Sequence, residues 1–383
     1  MTSLLHTRQR TRSIVSREEF PAMLQALQAR GYEIIGPTLR DGVIALDQID
    51  SVADLPAGWR DRQSAGVYRL EKEADGAIFS HTVGPDAWKR FLYPPNVRLW
   101  QAERTEDGFT IIEESEEQPR YAFLGVRACD LRAIRLQDRI FLRGRYVDPI
   151  YKQRRAEAFV IAVNCTRAGA TCFCVSMAGG PLVTNDFDLA LTEIIDDNRH
   201  YFVVETGSDR GADLLADLPH QIATASEVEE AECAVAAVTS HMGRTLETED
   251  LPDLFAETLE HPHWDDVASR CLSCGNCTMV CPTCFCSTVE DSTSLSGERA
   301  ERRRLADSCF SVEFSHISGG SVRASSKSRY RQWLTHKLSA WVDQFGTFGC
   351  VGCGRCITWC PVGIDLIDEV ESLRIQAKQS AEN

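Results

Sequence analysis

The stretch CLSCGNCTMVCP at residues 271–282 decides how the rest of the chain is read, because its rhythm returns as CVGCGRCITWCP at 350–361. Each run is C-x2-C-x2-C-x3-C-P, the spacing that wraps three thiolates around a cubane [4Fe-4S] cluster and sends the fourth to a neighbouring cluster. By that rule one site takes Cys271, Cys274, Cys277 and Cys360, and the other takes Cys350, Cys353, Cys356 and Cys281. The ligation is crossed, so neither site closes on its own run. A compact cluster needs four soft, deprotonated donors, and a loop with a cysteine at every third position supplies three of them. Gly275 and Gly354 follow the second cysteine, where the backbone must turn tightly. Pro282 and Pro361 suit the first turn of a helix leaving the site. Zinc is the competing occupant, since paired C-x2-C units also build structural zinc sites, but zinc calls for neither a third cysteine in register nor a terminal C-P.

Between the runs lies an insert much longer than the link of a small ferredoxin. It holds Cys284, Cys286 and Cys309 and a basic stretch with Arg323, Lys327, Arg329, Arg331 and Lys337. Those cations read either as a solvated helix face or as groups that tune a cluster or seat a partner. Whether Cys284, Cys286 and Cys309 ligate is open on spacing alone. His316, beside Gly319 and Gly320, reads as a structural hydrogen-bonding residue.

A second constellation precedes the runs. Tyr121 to Gly125 reads as a buried strand with Cys129 and Asp130 at its exit, followed by a helix from Leu131 to about Leu142. Ala158 to Val163 is another strand, with Cys165 just beyond it. A strand–helix–strand unit is nearly always a right-handed crossover of parallel strands, which brings both strand ends to one edge, the edge where open α/β sheets place ligands. Cys129 and Cys165 are therefore expected to be neighbours, with Cys172 and Cys174 in the same glycine-rich loop. These four suit a third [4Fe-4S] cluster; against that, free cysteine often simply fills a core. Asp130 reads as a helix N-terminal residue facing the dipole. The tetrad Thr171-Cys172-Phe173-Cys174 recurs as Thr283-Cys284-Phe285-Cys286.

Further out, residues 1–16 are basic and read as a mobile arm. Ser16 and Glu19 form a capping box for a helix from about 17 to 30 with the stripe Phe20, Met23, Leu24 and Leu27. Strand-like pieces at 32–36, 42–46 and 67–70 suggest a small mixed sheet, and Trp88 to Pro95 a packed corner. Residues 187–204 read as a hairpin turning at Asp196, Asp197 and Asn198. Ser226 and Glu229 read as a second capping box, with Val228, Val235, Val238 and Met242 as the stripe and Cys233 packed inside. The fold class expected is α+β / α/β: a mixed α/β domain over 17–250, then a mostly helical ferredoxin-like dicluster domain over 251–383 with a long insert.

Bulk properties narrow the function. A chain of 383 residues with 43% hydrophobic residues is ample for two or three cores. A net charge of -15 argues against nucleic acid and anionic membrane as partners. No apolar run approaches a membrane span, and cluster-spaced cysteines favour a reducing, cytoplasmic setting over a disulfide scaffold. There is no G-x-G-x-x-G after a strand and no H-E-x-x-H, which fits a relay better than a complete enzyme.

The segments FLGVRACDLRAI, NCTRAGATCFCVSMAGGP, CLSCGNCTMVCPTCFC, DSCFSVEFSHISGG and CVGCGRCITWCPVGID resemble the beta subunit of cytoplasmic NAD(P)-linked nickel–iron hydrogenases, the sulfhydrogenases, a family that also takes in the corresponding subunit of anaerobic sulfite reductase. The resemblance covers about 120 to 365 and is looser before it, where RDRQSAGVYRL and WKRFLYPP are the similar pieces. It implies a non-catalytic electron-transfer subunit working between a flavin- and NAD(P)-binding diaphorase subunit, which would carry the FAD, and the small and large hydrogenase subunits. It puts two [4Fe-4S] clusters on the eight cysteines of the two runs and a third on Cys129, Cys165, Cys172 and Cys174. The sulfite reductase counterpart is the second reading, and a zinc-binding assembly scaffold the reading from another class.

Overall fold

The computed structural model describes residues 12–112, 119–196 and 198–381. An eight-stranded sheet dominates the N-terminal half, running from edge to edge as Gln221–Ile222, Arg12–Ser16, His200–Thr206, Leu189–Ile195, Phe159–Val163, Tyr121–Val126, Glu33–Arg40 and Val43–Gln48. Its centre is parallel and its two flanks are antiparallel. Phe159–Val163 is buried at every position, as a parallel strand covered on both faces must be.

Side-chain alternation divides the core in two. Ala122, Leu124, Phe159, Ile161 and Val163 face one layer, where the helix Phe20–Ala29 brings Phe20, Met23, Leu24 and Leu27 and the helix Asp209–Ala216 brings Leu214 and Leu215. Phe123, Val160 and Ala162 face the other, against Leu131, Ile134 and Phe141 of the helix Ala128–Phe141 and Tyr151 of Pro149–Glu157. At Gly125, whose φ is +93°, the register slips by one residue. The slip turns Val126 onto the face of Phe123 and aims the chain into the Ala128–Phe141 helix.

The C-terminal half packs the helices His263–Arg270, Ser326–Thr335 and Leu366–Ala381 around Trp264, Tyr330, Trp333, Leu334, Val370 and Leu373. The cysteines lie on the rim of this core. Phe173 and Met177, from the loop after Phe159–Val163, are buried inside it, so the two halves interlock at the cysteine-bearing loops.

Several expectations are corrected. Residues 12–16 are a strand paired with His200–Thr206, not part of an arm; the rest of the expected arm, and Asp197 of the expected turn, lie outside the described residues. The Ser16–Glu19 box forms, but the helix starts at Phe20. The second box is Thr224 with Glu227, two residues ahead of Ser226, and Cys233 is exposed. The pieces at 32–36 and 42–46 join the large sheet, while 67–72 forms a separate hairpin with Trp59–Ser64. The dicluster half is not mostly helical in its insert: Ser287–Thr293 and Arg299–Ala306 pair with each other and extend a sheet begun by Asn96–Thr105 and Gly108–Ile112. Pro282 and Pro361 sit in turns, and the helix after the second run begins only at Leu366.

Candidate metal centre

The two cysteine runs share one backbone. In each, the residue two places after the first cysteine is left-handed (Ser273 at φ +52°, Gly352 at +68°), as is the glycine after the second cysteine (Gly275 at +75°, Gly354 at +73°). Those turns aim backbone N–H groups at sulfur: Ser273 donates to Cys271 and Gly352 to Cys350, each at 3.4 Å, and Ile364 donates to Cys360 at 3.3 Å. One-turn helices, Asn276–Met279 and Arg355–Thr358, then present Cys277 and Cys356. The glycines are required by contact as well as by dihedral. A Cβ on Gly354 would lie 2.4 Å from the Thr171 carbonyl oxygen, and one on Gly352 would lie 2.5 Å from that of Phe173.

Cys271, Cys274 and Cys277 line an apolar cavity together with Cys360 and Cys356 of the other run, walled by Phe310, Tyr330 and Trp333. Burial pushes the Cys271 and Cys277 thiols up, and Cys360 is among the sulfurs that push them further. The reverse crossing is present too. Burial first, then Cys350, Cys353 and Cys281 raise Cys356, and Cys281 is also a neighbour of Cys350 and Cys353. Soft sulfur donors bordering an apolar void, with amides directed at them, fit a polynuclear iron–sulfur group. Among the described residues, no group of three or more His, Cys, Asp or Glu converges as ligands of a single metal ion do.

The middle cysteines gather beside the second run. Cys129 stands in the first turn of Ala128–Phe141, not at the strand exit. Burial, then Cys165 and Cys353, push Cys174 up to about 12; Cys172 is raised by burial, Cys174 and Cys165; Cys129 by burial, Asp130, Cys353 and others including Cys174. The echoed tetrads both brace the Cys350 run. Phe173 donates its N–H to the Gly352 carbonyl at 2.8 Å, and the Thr283 hydroxyl donates to that of Gly349 at 2.7 Å. Thr171 and Thr358 hydroxyls meet at 2.8 Å and both donate to the Gln63 amide oxygen, a buried lock from the N-terminal hairpin onto the second run.

Two cations lie among these sulfurs: Lys337, which is buried, and Lys89, which is half-buried and which the sequence did not single out. Lys337 lies in a one-turn π-helix, His336–Ala340, and donates to the Thr283 hydroxyl at 2.9 Å, while that oxygen contacts Cys281 Sγ at 3.2 Å. Burial works to lower the Lys337 pKa, but Cys281, Cys284 and Cys350 outweigh it and hold the ammonium charged well above its ordinary value. Lys89 donates to the Cys284 and Thr278 carbonyls at 3.0 and 3.3 Å, and there burial wins and lowers its pKa. The Cys281 thiol is held low, chiefly by the S–H of Cys284 and against its own burial, with help from Lys337 and Lys89. Cys286 is likewise held at about 7 by its contact with Cys309. Of the basic stretch, Arg329 and Lys337 are buried and so are not a solvated face; His316 is exposed on a two-residue strand. Asp130 forms a buried ion pair with Arg355 at 2.9 Å. The pair is close but off-axis, since Asp130 Oδ1 has no aligned donor among the described residues.

The sequence is similar to known proteins. Residues 270–364 match the family described as the 4Fe-4S dicluster domain. Over 366 residues the chain is 26% identical to the Sulfhydrogenase 2 subunit beta of Pyrococcus furiosus, covering 93% of this chain and 96% of that one. The chain is a sulfhydrogenase beta subunit homologue with a 4Fe-4S dicluster domain. No solved structure matches it. Among the described residues, no helix of this homologue is long and apolar enough to cross a membrane.

Proposed function

We propose that the chain is the relay subunit of a multisubunit oxidoreductase, carrying single electrons between a flavin- and NAD(P)-binding partner and a nickel–iron hydrogenase partner. In this reading Cys271, Cys274, Cys277 and Cys360 hold one [4Fe-4S] cluster, Cys350, Cys353, Cys356 and Cys281 a second, and Cys129, Cys165, Cys172 and Cys174 a third. Bound clusters of this kind supply one-electron carriers whose potentials follow burial, nearby charge and hydrogen bonds to sulfur. The chain's own residues provide those three controls. Phe310, Tyr330 and Trp333 exclude water from the first site; backbone amides of Ser273, Gly352 and Ile364 donate to sulfur; Lys337 places a buried positive charge at the second.

The observation that carries the reading is the shared cavity of Cys271, Cys274 and Cys277 with Cys360, because it joins the two runs into one unit. The sulfhydrogenase relative supports a hydrogenase as the catalytic partner. Anaerobic purification from the native source tests this. A brown complex containing nickel and a flavin is expected. Sirohaem in place of nickel would assign the chain to a sulfite reductase, and a colourless, zinc-loaded chain would remove the relay altogether.

A further inference from the structure

The parallel strands Tyr121–Val126 and Phe159–Val163 end at one edge of the large sheet, and a cleft of about 530 Å3 opens beside the segments that follow them. One wall is the helix Ala128–Phe141, which begins after the first strand and turns Arg132, Arg135 and Arg139 into the cleft. Spaced by three and then four residues, the three guanidinium groups share one helix face. The opposite wall is the segment 178–185, whose Gly179 and Gly180 expose backbone, while Thr184, Asn185, Thr239 and Thr347 add hydroxyl and amide groups. None of the lining residues is acidic, in a chain whose net charge is -15.

The arginines are only partly satisfied from within. Arg135 pairs with Asp186 at 2.9 Å, which cancels one charge. Arg139 donates to the neutral Phe345 carbonyl at 2.8 Å, and Arg132 makes a long 3.5 Å contact with the Thr347 hydroxyl. Two positive charges thus have no carboxylate across from them in these contacts. Leu131, Leu136, Leu182 and Val183 give the same cleft apolar surface. Apolar walls, a few convergent polar groups and a volume of several hundred Å3 are the features of a small-molecule site, and paired guanidinium groups suit a phosphate above other anions.

We propose that this cleft binds a phosphate-bearing small molecule of mononucleotide size, with Arg132 and Arg139 holding the phosphate and the Leu182–Val183 wall covering the ring system. The cleft stands beside the cysteine-bearing loops, and Cys350 and Cys174 are electrostatic neighbours of Arg132. Gly179 fixes the cleft's position relative to them: a Cβ on it would lie 3.0 Å from the Cys174 carbonyl oxygen and 3.8 Å from Arg132 Cδ.

The test uses the purified full chain and two matched pairs of probes, FMN with riboflavin and AMP with adenosine, titrated by calorimetry in low-salt buffer. At least one phosphorylated probe is expected to bind at a single site, with its phosphate-free counterpart at least tenfold weaker. Arg132→Gln is expected to weaken it at least tenfold, and Arg132→Lys to recover most of the loss, with circular dichroism unchanged in both. Arg139→Gln serves if Arg132→Gln does not fold, with a loss in the same direction. Absence of saturable binding by either nucleotide, equal binding of the phosphate-free probes, or full competition by equimolar inorganic phosphate would overturn the proposal. So would preferential capture of an acidic peptide.

Discussion

Replacing Lys337 with methionine removes one buried positive charge while keeping an unbranched chain of similar length. The ammonium and Cys281 Sγ both contact the Thr283 hydroxyl, at 2.9 and 3.2 Å, so they stand within about 6 Å of each other. For unit charges at about 6 Å and an effective dielectric constant of about 20, the interaction is about 3 kcal/mol. The added electron spreads over the cluster, further from the ammonium than the sulfur is, so about 2 kcal/mol is the better figure; for a one-electron couple that is about 90 mV. The sign is fixed: a cation favours the reduced, more negative state, so its removal moves the midpoint downward. Thr283 keeps its bond to the Gly349 carbonyl in the variant, which leaves the loop a reason to hold its shape. The assay is a potentiometric titration of anaerobically purified chain followed by electron paramagnetic resonance. One of the cluster signals is expected to shift negative by about 50 to 120 mV while the others stay in place. An unchanged midpoint, an upward shift, or an equal shift of every signal would refute the placement of Lys337 beside a Cys281-bound centre.

Three further outcomes follow from local geometry. Gly354→Ala combines a left-handed φ with a Cβ driven against the Thr171 backbone, and is expected to cost well over the roughly 1–2 kcal/mol of the dihedral alone; Gly275→Ala, which meets only the Ser308 side chain at 3.1 Å, is expected to be milder, and thermal melts that reverse this order would count against the shared-loop packing. Arg355→Met strands the buried Asp130 carboxylate and is expected to destabilise by about 3–5 kcal/mol, with Asp130→Leu in the same chain recovering much of the loss; a double-mutant cycle by urea denaturation that showed simple additivity would contradict the ion pair. Burial, followed by Lys337 and Arg323, holds the His336 pKa at about 4, below its ordinary 6.5. A histidine depressed in the folded state contributes stability above its unfolded pKa and loses it as pH falls, so wild type is expected to lose more stability than His336→Asn between about pH 6.5 and 4; parallel profiles would show that His336 is not held neutral.

The loops of the cysteine runs are legible because their spacing is local in sequence: cysteines at fixed intervals with a glycine after the second announce the left-handed turn that both runs adopt. The parallel pairing of Tyr121–Val126 with Phe159–Val163 is legible for a different reason, since a strand–helix–strand crossover brings both strand ends to one edge. What escapes is set by partners far along the chain. Arg12–Ser16 carries two apolar residues among polar ones and becomes a strand only because His200–Thr206 offers it an edge. The insert strands Ser287–Thr293 and Arg299–Ala306 are polar, the first largely exposed and the second mostly half-buried, so no hydrophobic alternation announces them. Thr224 stands three residues before Glu227 just as Ser226 does before Glu229, and the helix takes the earlier cap while burying Ala231, Val235 and Val238. Lys89 looks like a surface group in the sequence because lysine normally is one, and Lys337 is legible only as one of five cations that read either as a solvated face or as groups tuning a cluster. The available signal is their company, Trp88 before the first and Trp341 after the second, both buried.

The most direct test of the crossed arrangement is the iron, sulfide and spectroscopic content of the Cys360→Ser chain purified without oxygen. It is expected to lose one cluster's worth of iron, about four atoms, and to keep the signal that responds to Lys337→Met. Loss of that Lys337-responsive signal, with the centre at Cys271, Cys274 and Cys277 left intact, would contradict the account.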